Sequence, residues 1–145
     1  MCTSFKGELL TGTHNFGTGV VRASTAADTF KAALYLASAT VNASTTAYSS
    51  TGEVTGTNYT AGGATVTNAT APATNGTTAY WTPSASITFS NVTLTTAFDA
   101  VLIYNSTQSN KAVSVHTFGS QTVTAGTFTL TMPTNDSSTG LIRLA

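Results

Sequence analysis

The sequence predicts an all-β chain: an antiparallel β-sandwich of jelly-roll or Greek-key type, with a short N-terminal helix or arm. Three observations carry this. Thr residues alternate with large apolar ones, most clearly in Thr127-Phe128-Thr129-Leu130-Thr131-Met132, the period of two of a strand with one buried and one solvated face. Such runs recur at intervals of roughly 8–12 residues, as in sandwiches and barrels. Only 7% of residues are charged, against about 25% in an average soluble domain, and Thr, Ser, Ala and Gly fill the surface positions instead.

With 145 residues the chain has the length of one domain able to bury roughly two-thirds of its unfolded surface. A single domain over residues 1–145 is expected, with residues 1–24 as arm or short helix and 25–145 as sandwich. In the arm, Phe5 and Leu9 are four apart beside Leu10, Thr3 or Ser4 can cap the start, and Gly7 and Gly12 keep the segment short. Asn15 to Gly19 reads as a bend.

The first strand is expected over Thr29 to Ala37, where Phe30, Ala32, Leu34 and Leu36 share one phase; a helix competes, because Ala and Leu are good helix formers. Ala39 to Asn75 reads as short strands and ordered loops, with a tight turn at Gly62-Gly63 before Ala64 to Thr67. Thr77 to Trp81 and Ser86 to Thr95 follow as strands around Pro83. In the latter, Ile87 and Phe89 are in odd phase and Val92 and Leu94 in even phase, so a bulge or corner is expected near Ser90-Asn91. Phe98 to Tyr104, with the run Val101-Leu102-Ile103, reads as a central strand covered on both sides. Asn105 to Asn110 is a hairpin loop leading to a strand from Lys111 to Phe118. Gln121 to Thr124 and Thr127 to Met132 read as a pair turning at Ala125-Gly126, and Leu141 to Leu144 as a final strand.

Chemistry-bearing clusters are not legible. Two His and one Cys, all distant in sequence, give no zinc spacing; the single carboxylate of Asn135 to Gly140 suits an Asx-turn better than calcium. His116 and Asp99 fall on neighbouring strands without the Ser motif of a hydrolase. Glu8, Glu53, Asp28, Asp99 and Asp136 supply no recognisable carboxylate pair for glycoside cleavage. Neither an enzyme, a cofactor nor a metal site is expected. Tyr48, Tyr59, Tyr80 and Trp81 suit either a carbohydrate platform or, with greater weight, core and subunit packing. Zero formal net charge removes the electrostatic drive toward nucleic acid, and no stretch approaches the ~20 apolar residues of a membrane span. Cys2 has no partner for an internal disulfide, and Met1 to Glu8 lacks the apolar core of a signal peptide, so synthesis in a cytoplasm is expected. The five Asn-x-Ser/Thr sequons, at Asn42, Asn68, Asn75, Asn91 and Asn105, carry no glycan argument in so hydroxyl-rich a chain.

Several stretches together resemble a recurring group of small tailed-bacteriophage virion proteins. The residues concerned are Asp28 to Tyr35 (Asp-Thr-Phe-Lys-Ala-Ala-Leu-Tyr), Glu53 to Gly63 (Glu-Val-Thr-Gly-Thr-Asn-Tyr-Thr-Ala-Gly-Gly), Leu102 to Asn105, Phe128 to Leu130 and Ile142 to Ala145. That resemblance covers nearly the whole chain and carries over no catalytic residue. Together with small size, strand grammar and low charge, it leads to the expectation of a capsid decoration or cement protein. Such a protein is made in the host cytoplasm, incorporated in the virion, and bound to the major capsid protein and to other copies of itself as a homo-oligomer. A tail-fibre or host-receptor-binding module is the alternative. Phe5, Leu9, Leu10 and Phe16 are the candidate assembly residues, able to dock on a neighbour or to pack on their own sandwich. Lys31 and Arg143 are the charges singled out for paired interface roles.

Overall fold

The computed structural model describes Cys2, Thr13, His14 and residues 27–67 and 72–145, and these form an antiparallel all-β structure. Seven strands follow in order: β1 (Phe30–Leu36), β2 (Ala64–Val66), β3 (Ala73–Asn75), β4 (Thr78–Trp81), β5 (Ile87–Asn105), β6 (Lys111–Leu130) and β7 (Ile142–Leu144). A four-stranded sheet has the order β2-β1-β5-β6, and a three-stranded sheet the order β3-β4-β7. The arm and bend expected before residue 25 lie outside the described residues, apart from Cys2, Thr13 and His14.

β1 is a strand despite its helix-forming Ala and Leu residues, because both of its edges are paired and tertiary pairing overrides a weak propensity. It meets β2 from Phe30↔Val66 to Ala32↔Ala64 and β5 from Phe30↔Asn105 to Leu36↔Phe98. Phe30, Ala32, Ala33, Leu34 and Tyr35 are all buried, so β1 is covered on both faces. The stretch Val101 to Asn105 of β5 is likewise buried throughout, in agreement with its unbroken apolar run. Phe98 packs edge-on against Phe128 and Phe118, with ring centroids 5.0 and 6.0 Å apart. Phe30 of the larger sheet meets Trp81 of the smaller one at 5.7 Å.

The long hairpin departs from the sequence expectation of about eight short strands. The runs expected over Ser86 to Thr95 and Phe98 to Tyr104 merge into one strand, β5, that starts at Ile87, and the three runs expected from Lys111 to Met132 merge into one strand, β6, that ends at Leu130. The turn that joins them spans residues 106–110, as expected, and there the side-chain oxygen of Asn105 accepts from the backbone N–H groups of Thr107 and Gln108 at 3.1 Å each. Ala125-Gly126 is not a turn. Ala125 adopts φ 46° inside β6 and donates its N–H to Thr93 Oγ1 at 3.0 Å, so the left-handed residue makes a bulge where a reversal was expected.

The breaks in apolar phase are matched bulges. Between Phe89↔Phe128 and Val92↔Gly126, β5 advances three residues and β6 two, with Asn91 at φ 56°. Between Val92↔Gly126 and Leu94↔Val123 the extra residue is on β6. From there to Phe98↔Gln121 β5 gains two residues, and by Ala100↔Thr117 β6 has gained two in return. A one-residue slip moves every following side chain to the other face. Over this stretch each excess on one strand is cancelled by an equal excess on the other, which keeps Phe89, Val92, Leu94 and Phe98 buried; one further extra residue on β6, Val113 between Ile103↔Ser114 and Tyr104↔Ala112, has no counterpart on β5.

Gly63, just before β2, has φ 74°, and a Cβ there would stand 1.8 Å from the carbonyl oxygen of Ala32. The backbone of this turn therefore lies directly against β1. Gly63→Ala is expected to cost about 3 kcal/mol or more through clash and left-handed strain, measured as a lowered urea midpoint at constant m-value.

Candidate functional site

Polar chemistry is concentrated at two buried points. The first is Glu53, 6% exposed, in the segment that continues the edge of β1 beyond β2. An isolated bridge joins Tyr35 to Glu53; the Leu36 N–H donates to Gly52 O at 2.9 Å and the Val54 N–H to Leu34 O at 3.0 Å. The remaining amide, Leu34 N–H, donates to the Tyr59 hydroxyl at 3.0 Å. That hydroxyl in turn donates to Glu53 Oε1 at 2.8 Å, while the Gly62 N–H donates to the same oxygen at 2.8 Å. Oε2 accepts from the Tyr48 hydroxyl at 2.7 Å. Tyr104 donates to Gly62 O at 2.7 Å and Tyr35 to Ser49 O. A buried carboxylate is tolerable when such donors replace its water.

Burial is the chief cause that pushes all four of these phenols above the ordinary tyrosine value, with the Glu53 charge adding to it; Tyr104 is pushed up to about 12. This is a scaffold. Its carboxylate is occupied by internal donors, and its rings are stacked, Tyr48 on Tyr104 at 4.7 Å and Tyr59 on Phe89 at 5.7 Å. Tyr48, Tyr59, Tyr80 and Trp81 are not brought together as a platform: Trp81 is buried against Phe30, and Tyr80 is half-buried opposite Arg143 in the other sheet.

The second point joins residues far apart in sequence. Asn105, fully buried, donates its side-chain amide to Asp28 Oδ2 at 2.7 Å and contacts His14 Nδ1 at 3.0 Å. Since the Asn105 oxygen already accepts backbone amides, its nitrogen is the donor and His14 Nδ1 the acceptor, which puts the imidazole proton on Nε2. Gln108 reaches Asp28 Oδ1 at 3.4 Å.

The other candidates disperse. His116 Nε2 is 2.9 Å from Ser114 Oγ, burial holds its imidazole below the ordinary value, and no hydrogen bond links it to Asp99 among the described residues. Asp136 forms the expected Asx-turn, accepting Ser138 and Thr139 N–H at 2.7 Å each; these bonds, Thr139 first, lower its carboxyl. Arg143 reaches Ser137 O at 3.4 Å, and Lys31 lies half-buried beside Gly62. Among the described residues, no group of three or more His, Cys, Asp or Glu converges to hold a metal, and no helix is long and apolar enough to cross a membrane. Phe5, Leu9, Leu10 and Phe16 lie outside the described residues.

An apolar groove of about 370 Å³ lies on the β5–β6 face, lined by Ile87, Ile103, Phe118, Phe128, Leu130 and Met132 among others. Thr117, Gln121 and Thr129 also line it, and His116 is its one titratable lining residue among the described residues. Comparison of the chain with protein-family models, curated proteins and solved structures finds no match.

Two outcomes follow from the carboxylate hub. Glu53→Ala strands the Tyr48, Tyr59 and Gly62 donors and is expected to cost about 3 kcal/mol or more, with Glu53→Gln costing less because one acceptor oxygen survives; urea unfolding of both variants measures this. The tyrosine shifts fix a pH window. A phenol whose folded value is raised contributes stability that is complete below the unfolded value, near 10, and lost as pH rises through the folded one. Unfolding midpoints are therefore expected to fall above about pH 10, with the tyrosinate absorbance of Tyr35, Tyr48, Tyr59 and Tyr104 appearing only as the protein unfolds.

Proposed function

We propose that this chain is a non-enzymatic virion structural protein of a tailed bacteriophage: a capsid decoration or cement protein that binds and stabilises the outer surface of the head. The observation that carries this reading is where the few charges stand. Asp28 and Glu53 are buried, Asp136 is tied into its own turn, Asp99 is half-buried on β5, and the exposed positions of β6 are Thr, Ser, Gln, Gly and Ala. A surface of this kind is desolvated against a protein at lower cost than a charged one, provided its hydrogen bonds are replaced. Complementarity over about 800 Å² per partner is what a cement contact needs, and a reactive group is not.

In this reading the two antiparallel sheets are the halves of a β-sandwich of jelly-roll or Greek-key type, with Phe30 and Trp81 as part of the seam. The major capsid protein is the partner, and the groove beside Phe118 and Phe128 supports the reading as an apolar anchor site. Phe5, Leu9, Leu10 and Phe16 belong to the proposal as a docking arm. Their test keeps residues 1–24 in place, because Cys2 and His14 are buried in the described structure.

Purified protein added to heads lacking it is expected to bind in fixed ratio to the major capsid protein and to raise the temperature at which they burst. Replacing Phe5, Leu9, Leu10 and Phe16 together by Ser should lower occupancy. Full occupancy with those replacements would remove the arm from the proposal. Density on the tail alone, at a copy number far below that of the capsid protein, would favour the receptor-binding alternative.

A further inference from the structure

We infer that the outer edge of β6 pairs, antiparallel and about a two-fold axis, with the same edge of a second copy of this chain. β6 is the last strand of its sheet. Near its start the edge is covered: Ala112 N–H donates to Thr46 O at 2.9 Å and Cys2 N–H to Val113 O at 3.2 Å. From Ser114 to Leu130 no strand pairs with the outer side among the described residues. At about 3.3 Å per residue that is an edge of roughly 55 Å. β2, β3 and β7 have three residues each, too short to template a partner.

An open edge presents unpaired N–H and C=O groups, and proteins that stay monomeric protect it with Lys, Pro or inward-pointing charge. Ser114 to Leu130 contains no Lys, Arg, Asp, Glu or Pro. Its own extra residues fall at 118–120 and at Ala125, and the shift between Phe89↔Phe128 and Val92↔Gly126 puts its extra residue on β5, so β6 has no bulge residue of its own from Gly126 to Leu130. The missing hydrogen bonds specify an extended strand as the occupant. Charge and symmetry select a second copy. An antiparallel two-fold contact sets this neutral, Thr-rich segment against itself and closes after two subunits. Thr122, Thr124, Thr127 and Thr129 are exposed, and facing hydroxyl residues are favourable cross-strand pairs where like charges are not. Five acidic and five basic residues leave no net charge to hold two copies apart. The apolar groove opens beside the same edge, with Phe118, Phe128, Leu130 and Met132 half-buried. A second copy extends the sheet and covers these side chains, adding apolar area to the hydrogen bonds.

The contact stands independently of the virion reading and is tested on the full chain in solution. Sedimentation equilibrium across a concentration series is expected to give a limiting mass about twice 14.7 kDa. The double variant Thr124→Lys/Thr127→Lys, checked for unchanged circular dichroism, should weaken association by about tenfold or more, while Thr55→Lys, on another exposed loop, should not. Amide exchange of the unsubstituted protein between Thr122 and Leu130 should slow as concentration rises, a readout that needs no variant. A monomer at every concentration, association unchanged by the two lysines, or protection gained elsewhere overturns the proposal. Protection of β6 seen only on purified heads also overturns it, and assigns the edge to a strand of the capsid.

Discussion

The segment between Ala47 and Gly63 is organised around the carboxylate of Glu53, the one group that joins Tyr48, Tyr59 and the Gly62 turn. Two strands of an antiparallel ladder exchange hydrogen bonds at regular intervals, and β2 ends after pairing only with Phe30 to Ala32. The edge of β1 beyond it would face solvent with Leu34 N–H bare. Gly52 to Val54 covers part of that edge and the Tyr59 hydroxyl covers the rest. Both are held because one buried anion accepts from Tyr48, Tyr59 and the Gly62 backbone at once. Remove the carboxylate and three donors lose their partner at a buried or half-buried position. A single acid thus does for a loop what a strand would otherwise do.

Local periodicity made much of this legible. The strand at Phe30, the turn after Asn105 and the slip at Ser90-Asn91 each depend on residues a few positions apart, so the sequence displays them. The glycine pair at 62 and 63 was equally readable, both with positive φ. Strand length was not. Ala125-Gly126 looks like a reversal because turns and bulges use the same permissive residues, and only the partner strand decides between them. Glu53 was visible as an acid in an acid-poor chain, and Tyr48 and Tyr59 as aromatics five and six residues away. Their convergence rests on the path of the loop over β1. The link of His14 and Asp28 to Asn105 spans 91 and 77 residues, a separation at which no pattern in one sequence survives. The N-terminal apolar residues stay where the sequence left them, as part of the proposed function.

Low charge also takes on a more specific sense once the side chains are placed. Two of the five acids are spent inside the molecule, where they organise loops. The outer face of the hairpin is left to hydroxyls and amides, which neither repel a copy of themselves nor select strongly among partners by field. Recognition on such a surface depends on shape and on backbone hydrogen bonding. This is why the groove supports the proposed function and the adjoining edge the contact between copies.

The matched bulges of β5 and β6 have a consequence for how this protein can change. Deleting Asn91 alone would leave its β6 counterpart unanswered and turn the following side chains inside out until the next irregularity. Losing both extra residues together would simply straighten the ribbon. Insertions and deletions in the hairpin are therefore tolerated in pairs, on opposite strands and at facing positions. In related chains the length of β5 should be a record of the length of β6, even where no residue in either strand is kept.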